Sequence, residues 1–302
     1  MIDPRSLAAA GALLIALGAA GCGLGPGPSV GNVQLTVTRN YGSKVVLQRN
    51  EQRAPESETA MRLLDRNAEI STRYGGRFVQ SINGIAGDAS GRRRYDWFFY
   101  VDGVESPVGA ADYPLHGGYR VWWDYRDWTA AMRVPAVVGS YPEPFLHGYE
   151  GQRHPVRVRC LAPRAACDLA RTRISAAQGT AQPGDSDPIR VLVGPWQRLR
   201  GDPAAGLIER GPADSGVFAD FRRSGGSWRL QPLGVTGQPA GPPRVAGLVA
   251  ATRDGDDPPT WLVTGSDAHR AVAAARLLDV TDLRDRYAVA TGNSHLLALP
   301  VR

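Results

Sequence analysis

The side chains best able to do chemistry in this sequence are scattered. His116, His147, His154, His269 and His295 include no H-x-x-x-H or other tight pair, the spacing that brings two imidazoles to one metal ion. Gly139-Ser140-Tyr141 and Gly265-Ser266-Asp267 lack the second glycine of a nucleophile elbow. Asp254-Gly255-Asp256-Asp257 is acidic but lacks the spacing and closing Glu of a calcium loop, and reads as a solvated turn. Glu56 and Glu58 precede a helical pattern, where the helix dipole accounts for them. Gly265-Ser266-Asp267 also precedes a helical pattern, and reads as a cap rather than an anion cradle; no phosphate-loop or dinucleotide fingerprint is present. The expectation is no catalytic residue, no resident metal and no cofactor.

The three cysteines carry more information. Leu7 to Gly21, LAAAGALLIALGAAG, is shorter than the ~20 residues that span a bilayer, and has the size of a signal-peptide core. Ala19-Ala20-Gly21-Cys22, with Leu17 upstream, resembles a bacterial lipobox. That resemblance implies residues 1–22 as a signal peptide and Cys22 as an acylated mature N-terminus, an anchor worth ~0.8 kcal/mol per buried methylene. An ordinary cleaved signal or an uncleaved anchor are the alternatives. Residues 23–31, GLGPGPSVG, read as a flexible spacer. Export places Cys160 and Cys167 in an oxidising compartment, where a local disulfide is the expected pairing.

Composition bounds the rest. The chain has 302 residues, 43% hydrophobic and 21% charged, enough apolar material for about two folded domains. With 36 Gly and 23 Pro, many turns and few long helices are expected, rather than a coiled coil or helical solenoid. The net charge of +6 is carried by arginine, Lys44 being the sole lysine. The basic run Arg92-Arg93-Arg94 is flanked by Asp88 and Asp96 and reads as a solvated turn, so no nucleic-acid partner is expected.

The elements that position these residues form two groups. In residues 32–129, Val33, Leu35 and Val37 alternate as a half-buried strand, with a return strand over Lys44 to Leu47. A helix capped by Ser57 carries Ala60, Met61, Leu64 and Ala68 on one face. Strands follow at Phe78–Ile82, closed by Asn83-Gly84, at Trp97–Val101 and at Tyr119–Tyr125. This order predicts an α+β, β-grasp-like layer. The runs YGGRFVQSINGI, YDWFFYVDGVESPVGAADYPL and GGYRVWWDYRDW, between Tyr74 and Trp128, are similar to the domain of unknown function related to the transcobalamin C-terminus. The resemblance implies a binding module and makes cobalamin a candidate ligand. Trp97, Tyr100, Trp122, Trp123 and Tyr125 are its candidate contacts. Residues alternate across a strand, so Trp123 and Tyr125 share one face and Trp122 the other, and one face is expected to be exposed. Cross-strand packing is the simpler role for any one of them.

Residues 130–302 predict an α/β domain. Strands are expected at Pro135–Gly139, Val156–Arg159, Ile189–Val193, Leu248–Thr252, Trp261–Thr264 and Tyr287–Ala290. Helices are expected over Cys167–Ala177 and over Ala268–Leu278, the second capped by Asp267. The function these features suggest is a lipid-anchored, extracytoplasmic ligand-binding protein at the cell membrane, capturing a corrinoid or other solute for a membrane transporter. A surface adhesion or scaffold protein binding a protein or glycan, and a secreted enzyme in the second half, are the alternatives.

Overall fold

The computed structural model describes residues 29–180, 184–292 and 295–302. Cys22, the lipobox and most of the spacer lie outside the described residues. Strands β1 (Ser29–Arg39) and β2 (Lys44–Pro55) make a long antiparallel ribbon. Helix α1 (Ala60–Asn67) follows, then β3 (Ile70–Arg73), β4 (Phe78–Ile82), β5 (Ile85–Ala86), β6 (Tyr95–Val101), β7 (Val104–Glu105) and β8 (Arg120–Asp127). Five strands pair in the order β2-β1-β8-β6-β7, and β3-β4-β5 form a separate small sheet. β8 runs parallel to β1 and antiparallel to β6.

In the remaining residues the elements are β9 (Val156–Cys160), α2 (Arg164–Gln178), β10 (Ile189–Pro195), α3 (Trp196–Leu199), α4 (Pro203–Glu209) and α5 (Pro212–Ser215). Then come β11 (Ala219–Ser224), β12 (Ser227–Pro232), β13 (Gly247–Thr252), β14 (Thr260–Gly265), α6 (Ala268–Arg276), α7 (Val280–Leu283), β15 (Ala288–Thr291) and β16 (Leu296–Leu299). Six strands pair in the order β16-β15-β13-β14-β10-β9, with β9, β10 and β14 mutually parallel. The architecture is mixed α and β, with several sheets and few helices. Among the described residues no helix is long and apolar enough to cross a membrane.

Local chemistry explains most boundaries. The Thr59 side chain caps α1 by accepting from the Arg62 N–H, whereas the expected Ser57 offers its carbonyl to the Arg62 guanidinium instead. Asp267 caps α6 as expected, accepting from Arg270 N–H at 2.8 Å. β2 continues eight residues past Leu47 because its polar stretch is an edge strand that β1 pairs on one side. The segment 135–139 forms no strand of its own. Val137 N–H donates to Gly103 and Val138 N–H to Tyr287, so it ties β7's turn to the chain entering β15. The β11–β12 hairpin turns on Gly225-Gly226, both at positive φ.

Alternation along β1 and β8 sends Val33, Leu35, Val37, Val121, Trp123 and Tyr125 into one core with Leu63 and Leu64 of α1. Tyr100 and Trp122 point the other way, into a core shared with Tyr287, Phe218 and Trp196. The central sheet is therefore covered on both faces.

Candidate functional site

Trp97, Tyr100, Trp122, Trp123 and Tyr125 are all buried, none more than 8% exposed. The expected open aromatic face does not form. Trp123 stacks on Phe99 with ring centroids 4.9 Å apart, and Tyr125 leans on Trp97 at 5.2 Å, both on the α1 side. On the opposite face Tyr100 and Trp122 meet the Tyr287 ring at 5.7 and 5.4 Å. The second half of the chain thus occupies the face that alternation left free.

That seal contains a polar network. Trp122 Nε1 donates to Thr38 Oγ1 at 2.7 Å, and Thr38 Oγ1 donates to Asp124 Oδ1 at 2.6 Å. Asp124 also accepts from Tyr41 N–H at 2.8 Å, Gly42 N–H at 3.1 Å and Tyr287 Oη at 3.0 Å. Burial raises the Asp124 carboxyl above its ordinary range, against the hydrogen bonds from Thr38, Gly42 and Tyr287. Arg126 lies fully buried over the Phe98 ring at 3.7 Å and donates to the Ala131 and Met132 carbonyls. Apart from the buried Arg126 Nε, which has no hydrogen-bond partner among the described residues, the polar atoms named here are met by protein groups and act as an internal fastening.

The accessible aromatic surface is instead at the edge of β6. Tyr95 exchanges backbone hydrogen bonds with Asp88, so Tyr95, Trp97, Phe99 and Val101 direct their backbone groups away from β8. Val101 is paired by β7, and Trp97 N–H is capped by the Asp96 carboxylate at 2.8 Å. Between them Phe99 N–H has no backbone partner among the described residues. Beside this gap lies an apolar groove of about 290 Å³, lined by Phe78, Trp97, Phe99, Trp123, Trp128 and Met132 among others. Phe78 and Met132 are exposed, and Tyr74 packs edge-on against Phe78. Of the residues expected as contacts, Trp97 and Trp123 line this groove, while Phe78, Phe99 and Met132 line it as well and were not among them; Phe78 and Met132 carry no signal beyond a large apolar residue beside a turn.

Cys160 and Cys167 are free thiols rather than the expected disulfide. The chain does turn back between them, but Cys167 Sγ points to the Ala162 carbonyl at 3.7 Å. Burial and the neighbouring Cys167 thiol push Cys160 up to about 12. His147 pairs with the buried Glu143 at 2.6 Å. Among the described residues no three His, Cys, Asp or Glu side chains converge on a metal position.

Residues 57–127 match a family described as a domain of unknown function, DUF4430. That span begins before α1 and ends with β8, so it contains the groove's central strand but not Trp128 or Met132. A solved structure from Ruminococcus gnavus, described as a "putative metal binding protein", is similar over 32% of this chain and 97% of its own, at 13% identity and TM-score 0.26. No curated protein matches the chain.

Proposed function

We propose that this protein binds a ligand rather than catalysing a reaction, and takes an apolar ring into the groove beside β6. We place it on the extracytoplasmic side of the cell membrane, anchored by a lipid on Cys22 and handing its solute to a membrane transporter. Residues 32–129 are read as a β-grasp-like module akin to the transcobalamin C-terminal domain, and residues 130–302 as an α/β domain. The parallel pairing of β1 with β8, with α1 across one face, supports the first assignment. The parallel β9–α2–β10 unit supports the second.

The observation that carries this reading is the groove's lining. Half-buried Phe99 and Trp128 offer aromatic surface to an apolar ring above the buried Trp97 and Trp123, and Arg77, Asp96 and Glu105 add polar groups to the lining. A volume of about 290 Å³ is near the lower end of ligand pockets, which run from roughly 300 to 1,000 Å³. It accommodates one ring system, so a corrinoid is gripped by an edge rather than enclosed. Calorimetric titration of the anchor-free protein with cobalamin, cobinamide and indole tests this. Binding that falls about tenfold in Trp128→Ala is expected. No heat with any of the three up to millimolar ligand would remove the small-molecule reading.

A second reading is favoured by one observation, the unpaired Phe99 N–H beside the groove. An extended peptide could add to β6 there and place one apolar side chain among the aromatics, making the protein a surface adhesion or scaffold component.

A further inference from the structure

A second, chemically opposite cleft lies where the two halves part. On the sheet face that carries Trp122, β1, β2 and β8 place Gln34, Thr36, Gln48, Asn50 and Arg120 in register, with Gln34 opposite both Asn50 and Arg120, and Thr36 opposite Gln48 and Trp122. These residues line a cavity of about 340 Å³, closed on its far side by Ser140, Arg284 and Asp285. An adjoining cavity of about 510 Å³ shares Arg284 and Asp285 and adds Ser43, Thr281, Arg286 and Arg302.

The wall opposite the sheet is held by close contacts. Asp285 N–H donates to Gly139 at 3.1 Å. A Cβ on Gly42 would meet the Asp285 carbonyl oxygen at 1.7 Å, and one on Gly139 would meet Arg286 N at 2.6 Å. Only glycine permits this approach at either position.

The side-chain charge of the cleft is one-sided. Arg49, Arg120, Arg284, Arg286 and Arg302 line the two cavities, against Asp285 as the single side-chain carboxylate. Arg120 is oriented by the Ser140 and Tyr141 carbonyls at 3.4 and 3.1 Å, and Arg286 by the Asp282 carbonyl. The Arg284 backbone N–H donates to the Val280 carbonyl at 3.0 Å, while the guanidinium groups of Arg284 and Arg302 have no hydrogen-bond or salt-bridge partner among the described residues, Arg284 lying near the Asp285 carboxylate. Guanidinium groups suit the oxygens of a phosphate, which they bind in forked pairs, and here Arg286 is held in place while Arg284 and Arg302 have donors to spare. The amide and hydroxyl side chains of the first cavity suit a polyol body, since each offers donor and acceptor together. Both volumes exceed what a bare phosphate needs.

We propose that this cleft binds a phosphorylated sugar or polyol, its phosphate against Arg284, Arg286 and Arg302 and its hydroxyls against Gln34, Gln48, Asn50 and Thr36. The site is separate from the apolar groove and stands whether or not the groove takes a ring. Such a ligand can be free in solution or be the headgroup of a glycerophospholipid.

Calorimetry on the whole chain with glucose 1-phosphate, glucose and inorganic phosphate at matched ionic strength tests the proposal. Phosphatidylcholine vesicles with and without phosphatidylinositol form the membrane arm. The expected result is glucose 1-phosphate binding at least about tenfold tighter than either fragment, weakened about tenfold by Arg284→Glu or Arg302→Glu. Trp128→Ala leaves it unchanged. Both arginines are exposed, so the folded state is retained, and circular dichroism checks this. Retention on phosphatidylinositol vesicles, lost in Arg284→Glu, identifies the lipid headgroup as a source. Absence of binding in both arms overturns the proposal, as does wild-type affinity in both charge-reversed variants.

Discussion

Trp122 and Trp123 are sequence neighbours on opposite faces of β8, and both are buried, at 2% and 3% exposure. Trp123 belongs to the core that α1 would build in any such layer. Trp122 is covered only because the second half brings Tyr287 and Phe218 onto the outer face, with Asp124 as the polar fastening between them. The edge of β6 behaves differently. There Phe99 and Trp128 are half-buried and the backbone is unpaired at Phe99. The contrast separates two uses of aromatic residues, one that joins two halves of a molecule and one that remains open to a partner.

The comparison is broken most forcefully by removing the joint. Trp122→Ala deletes a buried indole and should cost about 3–5 kcal/mol of stability, measured by urea unfolding. A loss below about 1 kcal/mol would mean that the outer face is not sealed. Asp124→Ala should follow at about 3 kcal/mol, because Tyr41 and Gly42 lose the acceptor of their N–H groups. At the open edge Trp128→Ala should change stability by less than about 1 kcal/mol while weakening ligand capture, so the two tryptophans sort by different readouts.

A smaller effect concerns pH. Burial raises the folded-state pKa of Asp124, and burial with the nearby Glu143 raises that of Asp102. Each therefore favours the folded state most when protonated. That contribution is complete below the ordinary carboxylate range and is lost as pH rises through the folded value. Asp124→Asn should flatten the fall in unfolding free energy above about pH 4, measured by denaturation at a series of pH values. The smallest effect is at the cysteines. With its thiol pushed up to about 12, Cys160 should alkylate slowly in the folded protein at neutral pH. Both Cys160 and Cys167 should label once the protein is unfolded without reductant; absence of labelling would show that they are bonded after all.

The legible parts of the sequence were those in which local pattern and tertiary demand agree. The alternation of Val33, Leu35 and Val37, the apolar stripe of α1, Asn83-Gly84 and the Asp267 cap each read directly onto the structure. The unexpected features all depend on distant partners. Nothing near Trp122 announces that Tyr287, 165 residues away, will cover it. The segment 135–139 has a strand-like composition but spends its hydrogen bonds on Gly103 and Tyr287. The arginine cleft has no local signature because Arg49 lies on β2, Arg120 on β8, Arg284 and Arg286 just after α7, and Arg302 after β16.

β8 is sealed on both faces while the edge of β6 away from β8 is open at Phe99, and residue-resolved amide hydrogen exchange along β6 measures that difference. The Phe98 and Tyr100 amides point into β8, whereas the Phe99 amide points outward. The account predicts that Phe98 and Tyr100 exchange only through global unfolding, while Phe99 between them exchanges by local access and slows when the groove is filled. Equal protection at all three residues, or fast exchange throughout β6 and β8, would contradict it.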